Sequence, residues 1–171
     1  MRRYTLHIVL FILTVASTLI VGGPAYSFTI ILILLGHEMG HYLMSQRHQI
    51  RATLPFFLPL PLPPFGTLGA VIRMESSISS RKALFDTGVA GPFTSLILSI
   101  PAIVIGLKLS KVIPISHIQE GSIRLADPLL FYFLQLLVMG GLKDGYEILI
   151  HPIAYAGWVG LFVTALNLLP V

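Results

Sequence analysis

Phe28-Thr29-Ile30-Ile31-Leu32-Ile33-Leu34-Leu35-Gly36-His37-Glu38-Met39-Gly40-His41-Tyr42-Leu43-Met44 decides how the rest of the chain is read. Eight apolar or weakly polar residues run without a break and then pass, inside the same apolar segment, into two histidines flanking a glutamate. The length and hydropathy are those of a membrane-crossing helix. An ionisable residue in such a helix costs on the order of 2.5 kcal/mol or more near its centre, and is usually retained for function. On a helix, residues four apart lie one turn above another on one face, so His37 and His41 can offer two imidazoles to a single metal ion. Glu38 sits beside them, where a carboxylate can take a proton from water activated by that metal.

Outward from this segment the composition agrees. Of 171 residues 55% are hydrophobic and only 11% charged, which leaves too little polar surface for a soluble domain of ordinary size. A first apolar stretch, about residues 6–21, follows Arg2-Arg3 and ends at Gly22-Gly23-Pro24; it reads as a transmembrane helix or as a signal peptide with a poor cleavage pattern. The second span is residues 28–44, stopped by Gln46-Arg47-His48-Gln49-Ile50-Arg51, the third about 87–109, and the last about 153–169. Residues 129–140 are apolar but too short to cross, and read as a short interfacial helix. Between spans two and three, residues 54–73 are apolar but broken by prolines at 55, 59, 61, 63 and 64, so a regular helix is excluded and an extended or β-hairpin segment is expected. Such backbone cannot face lipid and must re-enter against protein or a wet cavity. The fold expected is an all-α polytopic membrane protein, a single unit over 1–171, with about four transmembrane helices and a re-entrant hairpin.

The net charge of +4 comes from basic residues scattered at the edges of apolar segments, which argues for topology and against a nucleic-acid partner. Arg2, Arg3, Arg47, Arg51, Arg73, Arg81 and Lys82 fall on one side of the membrane and Lys108, Lys111, Arg124 and Lys143 on the other. The richer side is expected to be cytoplasmic, placing the N-terminus and the His37–His41 end there, in a cell membrane. With no cysteine in the chain, any metal rests on histidine and carboxylate.

Several features in order resemble the site-2 protease family of intramembrane zinc metalloproteases. They are His37-Glu38-Met39-Gly40-His41 in an apolar helix, the proline-rich stretch with Gly66-Thr67-Leu68-Gly69, Ala90-Gly91-Pro92 opening the next span, and Asn167-Leu168-Leu169-Pro170. The resemblance runs from about Phe28 to the last residue. It implies zinc held by His37 and His41, Glu38 as catalytic base, and Asn167 as a catalytic amide stabilising substrate backbone or oxyanion. The Gly66 to Ile72 stretch, with Gly66, Thr67, Leu68 and Gly69 as its substrate-binding residues, reads either as an unpaired edge to which an extended substrate adds as a strand or as a plain re-entrant turn. The substrate implied is a transmembrane protein or peptide. The family's third zinc ligand is an aspartate in Leu-Asp-Gly shortly after Asn-x-x-Pro, a position expected beyond Val171. Asp86, Asp127 and Asp144 are weaker candidates for that place. His7, His48, His117 and His151 are expected at interfaces without a metal, and Trp158 and the tyrosines as membrane-edge anchors. Two other readings stay open: a non-cutting chaperone or regulator that binds transmembrane helices, and a small transporter using the same residues as a metal or proton path.

Overall fold

The computed structural model describes residues 2–74, 80–117, 128–142 and 145–168. It orders four helices and two small antiparallel sheets as α1 (Arg2–Arg47), β1 (Phe56–Pro59), β2 (Thr67–Val71), α2 (Arg81–Leu109), β3 (Lys111–Pro114), α3 (Leu129–Met139), β4 (Tyr146–Leu149) and α4 (Pro152–Asn167), with one 3-10 turn at Ile115–His117.

The first two expected spans are arms of a single element that folds back on itself. Gly23 takes φ 76 and ψ −178, a conformation closed to side-chain-bearing residues, and Pro24 starts the return helix with its ring-fixed φ. Contacts across the bend show the fold-back: Thr18 and Ser27 share a hydroxyl bond of 2.7 Å, and the Ser27 hydroxyl approaches the Val15 carbonyl at 3.4 Å. A straight helix would hold residues 15 and 27 about 18 Å apart. The arms therefore start and finish on the same side, where the His7 ring meets the Pro55 carbonyl at 3.0 Å and stacks on Phe56. The arms, residues 2–22 and 24–47, are about 31 and 36 Å long at 1.5 Å per residue.

α2 begins six residues before the expected position, because Ser80 caps it by accepting from the Ala83 N–H. Together α1 and α2 are long and apolar enough to cross a membrane. The last expected span is shorter: α4 has 16 residues, about 24 Å of helix against a hydrocarbon layer of about 30 Å. α3 is an 11-residue apolar helix with only Phe131 buried.

α1, α2 and α4 pack mutually, and their shared core holds Tyr26, Ile30, Leu34, Ile103, Leu107 and Val159. Their registers follow from close contacts. A side chain at Gly91 of α2 would run into the His41 ring, and one at Gly160 of α4 would meet both Ser99 of α2 and Ile33 of α1. One at Gly106 would strike Ala154. α2 is thus antiparallel to both the returning arm of α1 and α4. Trp158, expected at a membrane edge, is instead 8% exposed in the core, stacked between Tyr155 and Phe162. It sits in mid-helix, so one face meets protein whichever way the membrane lies.

The proline-rich segment forms the expected hairpin, with Phe56 opposite Val71, Phe57 opposite Ala70, Leu58 opposite Gly69 and Pro59 opposite Thr67. Leu68 is left out of the register as a bulge and is exposed. β3 and β4, with α3 between them in sequence, form a second antiparallel ladder, Lys111 opposite Leu149 through Pro114 opposite Tyr146, which the sequence did not announce.

Candidate metal and catalytic site

The returning arm of α1 carries His37, Glu38 and His41 into the interior: His37 is 1% and Glu38 6% exposed. The Nε2 atoms of His37 and His41 are 3.1 Å apart. His41 Nδ1 lies 2.7 Å from the Thr87 carbonyl of α2, an atom that can only accept, so the ring proton is assigned to Nδ1 and Nε2 is left with a free lone pair. Gly91, one turn along α2, leaves room for this ring. Pro92 has no N–H, which interrupts the helix ladder in the same turn.

These two imidazoles fit a tetrahedral metal ion. Zinc–nitrogen bonds of about 2.0–2.1 Å meeting at about 100–110° place the two nitrogens about 3.1–3.4 Å apart. The observed separation is at the short end of that range, and the ring–carbonyl bond at His41 is the usual outer support of a ligating histidine. Among the described residues no third histidine or carboxylate closes with them into a cluster of three. Glu38, next in sequence to His37, is turned towards the hairpin, where the Ile72 backbone amide faces its carboxyl.

That contact comes from strand parity. Arg73 uses both backbone groups towards Thr53, its carbonyl accepting from the Thr53 N–H at 2.9 Å and its N–H donating to the Thr53 hydroxyl at 3.0 Å. Backbone groups alternate along a strand, so Ile72 turns its own to the opposite edge, the edge that looks at Glu38. Between this edge, α1 and α4 lies an apolar cavity of about 150 Å³, whose wall includes Ile30, Leu34, Thr67, Gly69, Val163 and Leu166. Residues 30, 34 and 38 repeat at helical spacing, so Ile30 and Leu34, which line the cavity, lie on the same α1 stripe as Glu38.

The other expected site residues are placed as follows. Thr67, Leu68 and Gly69 border the cavity and Gly66 does not, and three of the four residues are committed to holding the hairpin. The Gly66 carbonyl accepts from the Ser17 hydroxyl, and the Thr67 hydroxyl donates to the Leu58 carbonyl at 2.9 Å while accepting from the Gly69 N–H at 3.0 Å. Asn167 reaches the depth of the site, since α4 runs beside the returning arm from the Gly160–Ile33 contact and so brings residue 167 level with His41. Its carboxamide is exposed and donates to the Val163 carbonyl at 2.9 Å, a bond within its own helix. Asp86 does not join the histidines; it pairs with His48 Nε2 at 2.9 Å. Asp127 and Asp144 lie outside the described residues, as do Leu169, Pro170 and Val171. His151 caps α4 by accepting from the Ile153 N–H at 3.3 Å. Sequence reading missed Thr87 because it acts through a backbone atom, and it gave Ile72 only as the end of an expected edge, not as a partner of Glu38.

Residues 25–171 match the model of peptidase family M50. The "probable zinc metalloprotease EGY1, chloroplastic" of Arabidopsis thaliana is 32% identical over 142 residues, which cover 81% of this chain and 26% of the relative. Its namesake from Oryza sativa subsp. japonica is 32% identical over 154 residues, 85% of this chain and 25% of the relative. The "probable zinc metalloprotease EGY2, chloroplastic" of Arabidopsis thaliana is 29% identical over 139 residues, 81% of this chain and 25% of the relative. The chain thus spans about a quarter of the length of these curated relatives. No solved structure matches it. With a His-Glu-x-x-His helix whose imidazoles converge on one point, and a family match over all but its first 24 residues, the chain belongs to peptidase family M50.

Proposed function

We propose that the chain is the membrane-embedded catalytic part of a zinc-dependent endopeptidase that hydrolyses peptide bonds within or near transmembrane segments. The observation that carries this reading is the pair of Nε2 atoms 3.1 Å apart, with a buried glutamate beside them. His37 and His41 would hold the metal, which when bound supplies Lewis acidity and makes water a competent nucleophile near neutral pH. Glu38 takes the proton from the attacking water and passes it to the departing amine. The Ile72 N–H keeps that carboxylate aimed, and the Thr87 carbonyl keeps His41 in the tautomer that leaves Nε2 free.

A substrate helix shields its own carbonyls by internal hydrogen bonds, so it must be drawn out before it is cut. The outer edge of β2 supports a reading in which the extended segment lies along it as an added strand, with apolar side chains entering the cavity beside Leu34 and Gly69. Asn167, at the same depth on α4, is placed to hold the substrate backbone once its carboxamide turns from Val163. The long apolar helices support an integral membrane protein. Both ends of α1 lie on one side, with Arg47 and Arg51 at its second end and Arg81 and Lys82 opening α2 beside the His48–Asp86 pair, which supports an active-site end facing the cytoplasm.

The test is proteolysis of a single-pass substrate by the full-length protein in zinc-supplied proteoliposomes. Glu38→Gln is expected to slow cleavage by about 10²–10⁴-fold, the usual range for a positioned acid–base group. Equal cleavage by wild type and variant would remove Glu38 from its role and favour the non-cutting readings.

A further inference from the structure

His41 has an outer partner and His37 does not. His37 Nε2 faces His41, but His37 Nδ1 is one of four fully buried side-chain polar atoms among the described residues that find no hydrogen-bond partner. The others are the hydroxyls of Thr87, Ser95 and Ser99, all on α2. A buried ring N–H without an acceptor carries its full desolvation cost, so a partner for it is expected close by.

The helix registers say which hydroxyl faces it. At one end of the α1–α2 seam His41 packs on Gly91, and at the other Ile33 and Ser99 meet at Gly160. The helices are antiparallel, so stepping four residues back along α1 from His41 corresponds to stepping four forward along α2 from Gly91. Both brackets give the same answer: His37 lies opposite Ser95, between the Gly91 and Ser99 levels. Ser95 is 0% and His37 1% exposed, so neither can turn to bulk water. Ser99 belongs one turn further towards Gly160, and Thr87 two turns back, on the far side of His41.

We propose that Ser95 is a positioning residue for the metal site, its Oγ accepting the Nδ1–H of His37 directly or through one buried water. The two ligands are then supported from the same helix by different means, a backbone carbonyl at Thr87 for His41 and a side-chain hydroxyl at Ser95 for His37. This bond fixes the His37 tautomer with the proton on Nδ1, keeps the Nε2 lone pair directed at the metal position, and removes two unsatisfied atoms from the core at once. The inference rests on His37 being a zinc ligand, as proposed above.

Zinc affinity, read by competition with a chromophoric chelator on the full-length protein in detergent, tests it without need of a substrate. Ser95→Ala should bind zinc about 10–100-fold more weakly, the usual cost of losing an outer-shell partner, and Ser95→Thr, which keeps the hydroxyl, should stay close to wild type. Ser99→Ala, equally buried and equally unpartnered, should bind as wild type, and metal-free Ser95→Ala, which leaves the His37 N–H without an acceptor, should melt below the metal-free parent while Ser95→Thr does not. Zinc affinity of Ser95→Ala within about twofold of wild type would overturn the assignment, as would an equal loss in Ser99→Ala, which would point to seam packing instead. Failure of the wild-type protein to bind zinc at all would instead count against the metal-site reading on which this one stands.

Discussion

The two small antiparallel sheets are of nearly equal size and behave differently. β1–β2 buries Phe57, Thr67 and Gly69 and is fastened to helices at several points: Ser17 and Tyr26 of α1 donate to Gly66 and Phe65, and Tyr155 of α4 donates to Pro64. β3–β4 buries none of its residues and closes the far ends of α2 and α4, where the Ser110 hydroxyl accepts from the His151 N–H at 2.9 Å. A lone two-stranded sheet is marginally stable at best, so what it can do depends on what it leans against. The first is held rigidly enough to present an edge to Glu38; the second has the character of a connector.

That contrast can be broken by substitutions placed in matching positions. Ile72→Pro removes the N–H that faces Glu38 and is expected to lower the cleavage rate about 100-fold, the scale on which small misplacements act, with zinc content unchanged. Val112→Pro in β3 should leave cleavage within a few-fold; a comparable loss there would mean that both sheets serve the site. Gly66→Ala should destabilise the protein to thermal unfolding by about 2 kcal/mol, because residue 66 has φ 73 and its new methyl would sit 3.0 Å from the Thr18 backbone. Gly145→Ala, with φ 86 but open space around it, should cost only about 1 kcal/mol. Tyr26→Phe deletes the 2.6 Å bond to the Phe65 carbonyl and should cost about 1 kcal/mol. Val112→Thr, 46% exposed on β3, should change stability by less than about 0.5 kcal/mol. A β3 variant more damaging than its β1–β2 counterpart would reverse the ranking of the two sheets.

What could be read from the sequence is what depends on spacing along one element. His37 and His41 face the same point because four residues make about one helical turn, and prolines 55 to 64 forbid a helix wherever they fall. Gly22-Gly23-Pro24 marked the turn, although not that the two arms would touch through Thr18 and Ser27. The residues that were missed depend on approach between distant segments. Thr87, and the contact of Ile72 with Glu38, act through main-chain atoms, which carry no residue signature, and β3 and β4 pair across 31 intervening positions with no tight-turn motif to announce them. Trp158 was misplaced because an aromatic in an apolar helix is equally suited to a membrane edge and to a core, and only packing against Tyr155 and Phe162 decides.

The central claim is that His37 and His41 share one metal ion through their Nε2 atoms. X-ray absorption at the zinc edge of the full-length protein, with metal content measured in parallel, tests it most directly. One zinc per chain is expected, with a first shell that includes two imidazole nitrogens at about 2.0–2.1 Å, and the signal should vanish in the His37→Ala, His41→Ala double variant. Zinc retained with the same shell in that variant, or a wild-type protein that takes up none, would contradict it.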